Sequence, residues 1–396
     1  MMIDKVGNAC TGCYACVNAC PKSCIRMEEN AEGFWYPQID TEQCIRCGRC
    51  EKACPVLSEL PNSKTEKDIR VYAVKHRDEK IRLNSSSGGA FTALAQTVLE
   101  HGGVVFGAAF DENYDVRHIF VESEEELSRL RGSKYVQSRI GNAYRQAESF
   151  LKEGRPVYFS GTACQTSGLL SYLGRDYDNL DTQDLICHGV PSPMVWRKYL
   201  EYHQTLERSG IQKIFFRDKS HGWHNWHLSI DFKNGTHYAQ SQFQDKMIVS
   251  YLRGKSSRLC CYDCKFKQKC RSADFTLADY WGIQDIAPDL DDDKGVSSCY
   301  VNSPKAQRLF AAARSRLDVQ ELDLETAVAG NLAMIESERL PANRDEFLKE
   351  MREKPFEMAY GKIIDEMSFK TQVLWSLRRT LGNRNYEKLR SLGKKR

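Results

Sequence analysis

Nowhere among the 396 residues does an apolar run approach the ~18 needed to cross a bilayer, so the sequence predicts no transmembrane helix. The most apolar window, GGVVFGAAF (102–110), is short and glycine-rich and reads as a buried strand. The lead MMIDKVGNAC has no apolar stretch, which argues against a secretory signal. Net charge is scarce as well. With 57 basic against 53 acidic side chains the balance is +4, so there is no overall case for nucleic acid, and any basic patch must be local. Sixteen cysteines without an export signal point to metal or redox work in a reducing cytoplasm rather than to a disulfide framework. The length allows two or three domains, each with its own core.

Nine of the sixteen cysteines fall in the first 54 residues, in two copies of one pattern. CTGCYACVNACP begins at Cys10 and CIRCGRCEKACP at Cys44. C-x2-C-x2-C-x3-C-P is the spacing of bacterial dicluster ferredoxins, in which the fourth cysteine crosses to the other cluster. Cys10, Cys13, Cys16 and Cys54 are therefore expected to hold one 4Fe-4S cluster. Cys44, Cys47, Cys50 and Cys20 take the second, with Pro21 and Pro55 turning the chain away. A pair of zinc knuckles would leave the third cysteine of each copy without a use. Cys24 lies outside the pattern and reads as a packed side chain. The intervening RMEENAEGFWYPQID (26–40) reads as the hairpin of a ferredoxin fold. Cluster ligation supplies much of the folding energy in so small a module.

After a polar linker (58–70), strands and helices alternate, which predicts an α/β core. RVYAVKH reads as a strand. Phe91, Leu94, Ala95, Val98 and Leu99 recur at helical spacing, and NSSSGG precedes them at the helix N-terminus. That run suits an anion such as a phosphate, and equally an ordinary serine N-cap with a flexible glycine pair. RPVYFSGTACQTSGLLSYL repeats the strand–turn–helix logic and places Cys164 where a helix dipole would lower its pKa. DLICHGVPSP repeats it again, with Cys187 at a strand end, where sites in such sheets gather. His221, His224 and His227 share no face of a helix or strand, so loop packing is preferred to a zinc site. Cys261 and Cys264 form a further C-x2-C pair. Spacing alone leaves open whether they join Cys164 and Cys187 in a third set or are separate buried cysteines.

From about residue 305 the pattern is helical, then polar and irregular to about 355. The last stretch, 369–396, carries nine Lys or Arg against one Glu, beside Val373, Leu374, Trp375 and Leu377. It suits a peripheral contact with an anionic membrane surface or an acidic partner, and equally a solvated helical tail.

SSSGGAFTALA, GSKYVQS, GTACQTSGL, DLICHGVPSP, FRDKSHGW and CYDCKFK…RSADFTLADYWGI occur in that order. Together they resemble the coenzyme F420 hydrogenase/dehydrogenase beta-subunit family, with a fused N-terminal dicluster ferredoxin domain. The resemblance implies FAD, a third 4Fe-4S cluster, and hydride exchange between flavin and coenzyme F420 as substrate. It implies that Ser86, Ser87, Gly88 and Gly89 lie at the flavin phosphates and that Lys134 and Tyr135 line the flavin. It also implies that Cys164, Cys187, Cys261 and Cys264 hold the third cluster. The chain departs from the family pattern at Ala163 and Ala278, neither of which removes a ligand.

The expected layout is multidomain: a dicluster ferredoxin fold (1–60), an α/β flavin-binding core in two parts (70–150 and 151–340) and a helical basic tail (341–396). The function expected is that of an iron–sulfur flavoprotein enzyme, cytoplasmic, serving a hydride carrier and a redox partner protein or ferredoxin. A flavin links two-electron to one-electron chemistry, so no acid–base residue is required and His188 is read as structural. The alternatives are a relay subunit without a substrate, or a reductase of an organic substrate driven by reduced ferredoxin.

Overall fold

The computed structural model describes residues 3–58, 65–363 and 373. In the N-terminal region β1 (Ile25–Glu29) and β2 (Trp35–Ile39) pair as an antiparallel hairpin. The strands that follow are β3 (Arg70–His76), β4 (Val104–Phe110), β5 (Val116–Val121), β6 (Val157–Ser160), β7 (Leu180–Leu185) and β8 (Ile211–Asp218). Then come β9 (His227–Phe232), β10 (His237–Ser241), β11 (Phe275–Asp279), β12 (Ser297–Val301) and β13 (Leu317–Leu322). β8, β9 and β10 form a separate antiparallel sheet.

The other eight make one mixed sheet in the order β13-β3-β12-β11-β7-β6-β4-β5. Its centre is parallel, through β4–β6, β6–β7 and β7–β11. Strands buried on both faces read as continuous apolar runs, and Val104–Phe106 and Val157–Phe159 do so. Alternate side chains serve opposite faces. Val105 and Tyr158 pack with the helices Ala90–Glu100 and Pro304–Ala313. Val104, Phe106, Val157 and Phe159 pack with Ala143–Lys152 and Ala163–Leu173. Truncating the fully buried Phe106 to alanine would cost about 3–5 kcal/mol.

The same second core contains Cys13, Tyr14, Ala15 and Ala53, so the ferredoxin-like region packs directly on the α/β core. Three arginines lock it there. Arg145 donates to the carbonyls of Val17, Asn18 and Cys20 at the end of a short helix, where carbonyls run out of intrahelical donors. Arg344, 1% exposed, makes a two-pronged ion pair with Glu32 at 3.0 and 2.7 Å. Arg258 bonds Cys10 O and Trp35 O.

Two local expectations need correcting. The strand expected to end on Cys187 ends at Leu185. Ile186 N still bonds Leu277 O, and the chain then leaves the sheet, so Cys187 lies just beyond the edge. The stretch expected to be irregular to about 355 contains β13 and the helices Leu324–Gly330 and Arg344–Glu353. Beyond it lies the helix Phe356–Ile363, and the basic stretch expected as a tail otherwise falls outside the described residues. Among the described residues no helix is long and apolar enough to cross a membrane.

Candidate iron–sulfur and cofactor sites

The two cysteine repeats share a backbone device. Gly12 and Tyr14 flank Cys13 with φ of 67° and 65°; Arg46 and Gly48 flank Cys47 with φ of 53° and 71°. Left-handed residues on both sides of the middle cysteine coil the chain tightly around it. For Tyr14 and Arg46 that conformation costs roughly 1–2 kcal/mol each, the kind of strain kept at functional sites. Gly12 N also donates to Cys10 Sγ at 3.4 Å.

The fourth cysteines cross over. Cys10, Cys13, Cys16 and Cys54 line one narrow slot of about 20 Å³. Cys20, Cys44, Cys47 and Cys50 line a larger cavity of about 490 Å³, together with Cys24. Cys24 is buried as expected of a packed residue, yet its sulfur lies 3.4 Å from that of Cys20. Burial pushes the Cys13 thiol up to about 12, with Cys10 and Cys54 adding to the rise. Such crowded thiols need a cationic core to ionise. Among the described residues no three Cys, His, Asp or Glu side chains converge tightly enough for a single metal ion. A 4Fe-4S cube gives each thiolate its own iron, so the spread of these soft donors suits a cluster better than zinc.

Cysteines from three separate segments, Cys164, Cys187 and the pair Cys261 and Cys264, lie near one another in the core. Cys164 feels Cys264 and Cys187, and Cys187 feels Cys261 and Cys264. Cys164 stands at the start of the helix Ala163–Leu173, where the dipole was expected to lower its pKa. The structure reverses that expectation: burial raises the thiol well above its usual range, because desolvation outweighs a partial charge. Cys164 also feels Cys13. The link between the two sites is tight, since a Cβ on Gly168 would lie 3.0 Å from Cys13 Cβ and 3.1 Å from its sulfur.

The run 84–89 does not cap its helix through a serine. Gly89 is the N-cap, at φ 90°, and no side chain caps the N–H groups. Ser87 Oγ donates to Val296 O, and Ser86 Oγ accepts from the Ser133 amide at 2.6 Å and shares a 2.8 Å bond with its hydroxyl. The GSKY loop is thus tied to the SSSGG loop. Gly88 must be glycine, because a Cβ would meet Val74 O at 2.2 Å. Lys134 donates to the carbonyls of Arg131 and Gly132, and desolvation pulls its ammonium down to about 7.

Residues that sequence reasoning did not single out organise this region. Arg217 pairs with Asp279 at 2.8 and 3.0 Å and donates to Tyr135 OH. Its guanidinium lies 4.6 Å from the Trp226 ring centre, and Trp223 donates to Asp279 while stacking on Trp281 at 4.7 Å. Lys219 binds the carbonyls of Arg82, Ser87 and Lys294, stapling three loops; burial lowers it to about 7. The signal was present, since Arg217, Lys219, Trp223, Asp279 and Trp281 lie inside FRDKSHGW and LADYW. Tyr135 stacks on Tyr251 at 5.0 Å and Tyr251 meets the ring of His188 at 5.2 Å, which carries ring contact from GSKY to the neighbour of Cys187. Of the three histidines nearby, His224 bonds Asp291 and His227 bonds Asn225 O, while the rings of His221 and His227 lie 4.2 Å apart.

Two ferredoxin-type thiol sets seated on an α/β core define an iron–sulfur redox protein. Residues 9–57 match the family described as 4Fe-4S dicluster domain, and a second family of that description overlaps it at 36–87. Residues 71–144 and 154–326 match the N-terminal and C-terminal parts of coenzyme F420 hydrogenase/dehydrogenase, beta subunit. The chain belongs to that family and carries a dicluster domain ahead of the matched parts.

Among curated proteins it is similar to a subunit of the F(420)H(2) dehydrogenase of Methanosarcina mazei, 23% identical over 40% of this chain and 46% of the relative. It is also similar to coenzyme F420-dependent sulfite reductase of Methanocaldococcus jannaschii, 27% identical over 48% of this chain and 29% of the relative. The chain thus spans under half the length of either. Among solved structures, a chain of the F420-reducing NiFe hydrogenase complex from Methanosarcina barkeri is similar over 66% of this chain and 89% of its own, with TM-score 0.46 and 17% identity.

Proposed function

We propose that this chain is an iron–sulfur flavoprotein oxidoreductase that moves electrons between a hydride carrier and ferredoxin-type clusters through FAD. The observation that carries the reading is the contact of Cys13 with Gly168, beside Cys164. It sets the first dicluster site against the core set, as an internal wire requires. When bound, FAD supplies the conversion between hydride and single electrons. The uncapped N-terminus at Gly89 offers N–H groups to its phosphates, in line with Ser86, Ser87 and Gly88 as lining residues. Desolvation lowers the Lys134 ammonium, so an anion beside it would restore its charge. Tyr135, Tyr251 and His188 keep water from the path towards Cys187, and the residues proposed to hold a third 4Fe-4S cluster are Cys164, Cys187, Cys261 and Cys264.

The second site, with Cys47 exposed and Ile45 58% exposed among its lining residues, is the proposed port for a redox partner protein or ferredoxin. The names of both curated relatives make coenzyme F420 the first carrier to test. The test is iron and flavin content after anaerobic purification. About twelve irons with one FAD per chain supports the reading. About eight irons without flavin, even after reconstitution, overturns it and leaves a relay subunit.

A further inference from the structure

The side chain of Arg258 is fully buried, at 0% exposure. A buried guanidinium is costly unless negative charge offsets it. Its hydrogen bonds nevertheless all reach uncharged oxygens: Cys10 O at 2.7 Å, Trp35 O at 3.0 Å and Gln137 Oε1 at 3.2 Å. The Tyr36 ring lies 4.1 Å below it and Phe34 5.4 Å away. Burial works against its charge, and Cys10, Cys260, Tyr36 and Cys261 would offset this once ionised, as cysteines are when they ligate a cluster. Cys10 belongs to the first dicluster set, and Cys261 to the core set.

The backbone fixes the placement from both directions. Arg258 N donates to Val190 O, and its own carbonyl accepts from Cys261 N at 2.9 Å, so the residue begins the turn that carries Cys261. On the other side Gly12, at φ 67°, leaves room for Gln137 and the head group it holds, since a Cβ there would lie 2.4 Å from Gln137 Nε2 and 3.3 Å from Arg258 Nη1.

We propose that Arg258 is the shared counter-cation of the first dicluster site and the four-cysteine core set, a positioning residue that sets the reduction potentials of both together. A cluster held by four thiolates is anionic and gains further negative charge on reduction. A fixed buried cation next to two such sites favours the reduced form of each. One charge serving both keeps the potentials in step, so an electron crosses between them without a large drop in either direction. The second dicluster site is outside this control, because Arg258 bonds Cys10 O, Trp35 O and Gln137 Oε1 and no residue of that set.

The inference rests on the proposed third cluster only for its second half. The test is a reductive titration of the reconstituted full chain, followed by the low-temperature electron paramagnetic resonance of each cluster, with iron counted in parallel. Arg258→Gln removes the charge and Arg258→Lys keeps it. The Gln variant is expected to shift the one-electron equilibrium of the first site and of the core set at least tenfold towards the oxidised form, which is about 59 mV. The second site and the Lys variant should stay near the unaltered protein. Unchanged potentials in the Gln variant, or equal shifts in both variants, overturn the proposal. If Arg258→Gln cannot hold iron, Gln137→Glu sets a carboxylate against Nη1 and neutralises the charge in place. The same shift is then expected, and its absence overturns the proposal. A core set without iron refutes the third cluster, while the first-site shift still tests Arg258.

Discussion

Gly168→Ala perturbs the seam between the two redox sites by a single methyl group. In an ordinary helix this exchange stabilises by about 0.8–1.0 kcal/mol, because alanine loses less backbone entropy. Here the methyl group would sit 2.8 Å from Tyr144 OH, 3.0 Å from Cys13 Cβ and 3.1 Å from Cys13 Sγ. Carbon contacts are comfortable only at roughly 3.5–4.0 Å. Tyr144 cannot swing away cheaply, since its hydroxyl donates to Gln165 O at 2.7 Å from a fully buried ring. Cys13 therefore has to move, and overpacking of this kind costs about 1–3 kcal/mol. The net expectation is a loss of roughly 0–2 kcal/mol despite the better helix former, a lowering of the melting temperature on the order of 2–4 °C per kcal/mol. The loss should concentrate on the first site. Anaerobic iron analysis and cluster-resolved spectra should show that site depleted or altered while the second site keeps its signal. A variant with full iron, unchanged first-site spectra and a raised melting temperature would refute the claim that the seam is close-packed.

Lys219→Met removes three carbonyl ties to the loops around Ser87 and is expected to lower flavin retention several-fold on gel filtration while iron stays constant; equal loss of both would point to general unfolding. Burial raises the Glu338 carboxyl to about 7 from 4.5, so between those pH values the folded chain holds a proton that the unfolded chain has released. Stability therefore falls as pH rises through that window, and Glu338→Gln should stabilise at pH 8 by at most on the order of 3 kcal/mol and do little near pH 4.5. Denaturant titrations at the two pH values check this, and an equal effect at both counts against it. Removing iron with a chelator should expose the amides of Ile25–Ile39 to hydrogen exchange well before those of Ala90–Glu100, because ligation supplies much of the folding energy of so small a module. Simultaneous loss would contradict that.

The dicluster module was legible because its constraints are local: three cysteines at fixed spacing, a crossing cysteine and a proline. The apolar runs around Val104 and Val157 were legible for the same reason, since a strand buried on both faces shows it in its own residues. The core set was not, because Cys164, Cys187, Cys261 and Cys264 reach one place only through the strand order of the mixed sheet. Resemblance suggested them where spacing could not. The Arg217–Asp279–Tyr135 network was hidden likewise, for each partner comes from a different segment. β13 escaped because it is an edge strand with three of its six residues exposed, which blurs the alternation that marks a half-buried strand. Cys24 was readable as buried, but its approach to Cys20 depends on the hairpin that follows.

The arginine seat has a consequence for how such a chain can be put together. Arg145 grips the carbonyls of Val17, Asn18 and Cys20, and Arg258 those of Cys10 and Trp35. Every amino acid supplies a carbonyl, so this grip reads the path of the main chain and is largely blind to side chains. Any module that coils its cysteines in the same way presents the same handles, whatever residues stand between them. A foreign dicluster domain grafted at this joint should then need the matching backbone, a glycine at position 12 and few side chains, chiefly the Glu32 carboxylate for Arg344 and the Tyr36 ring under Arg258.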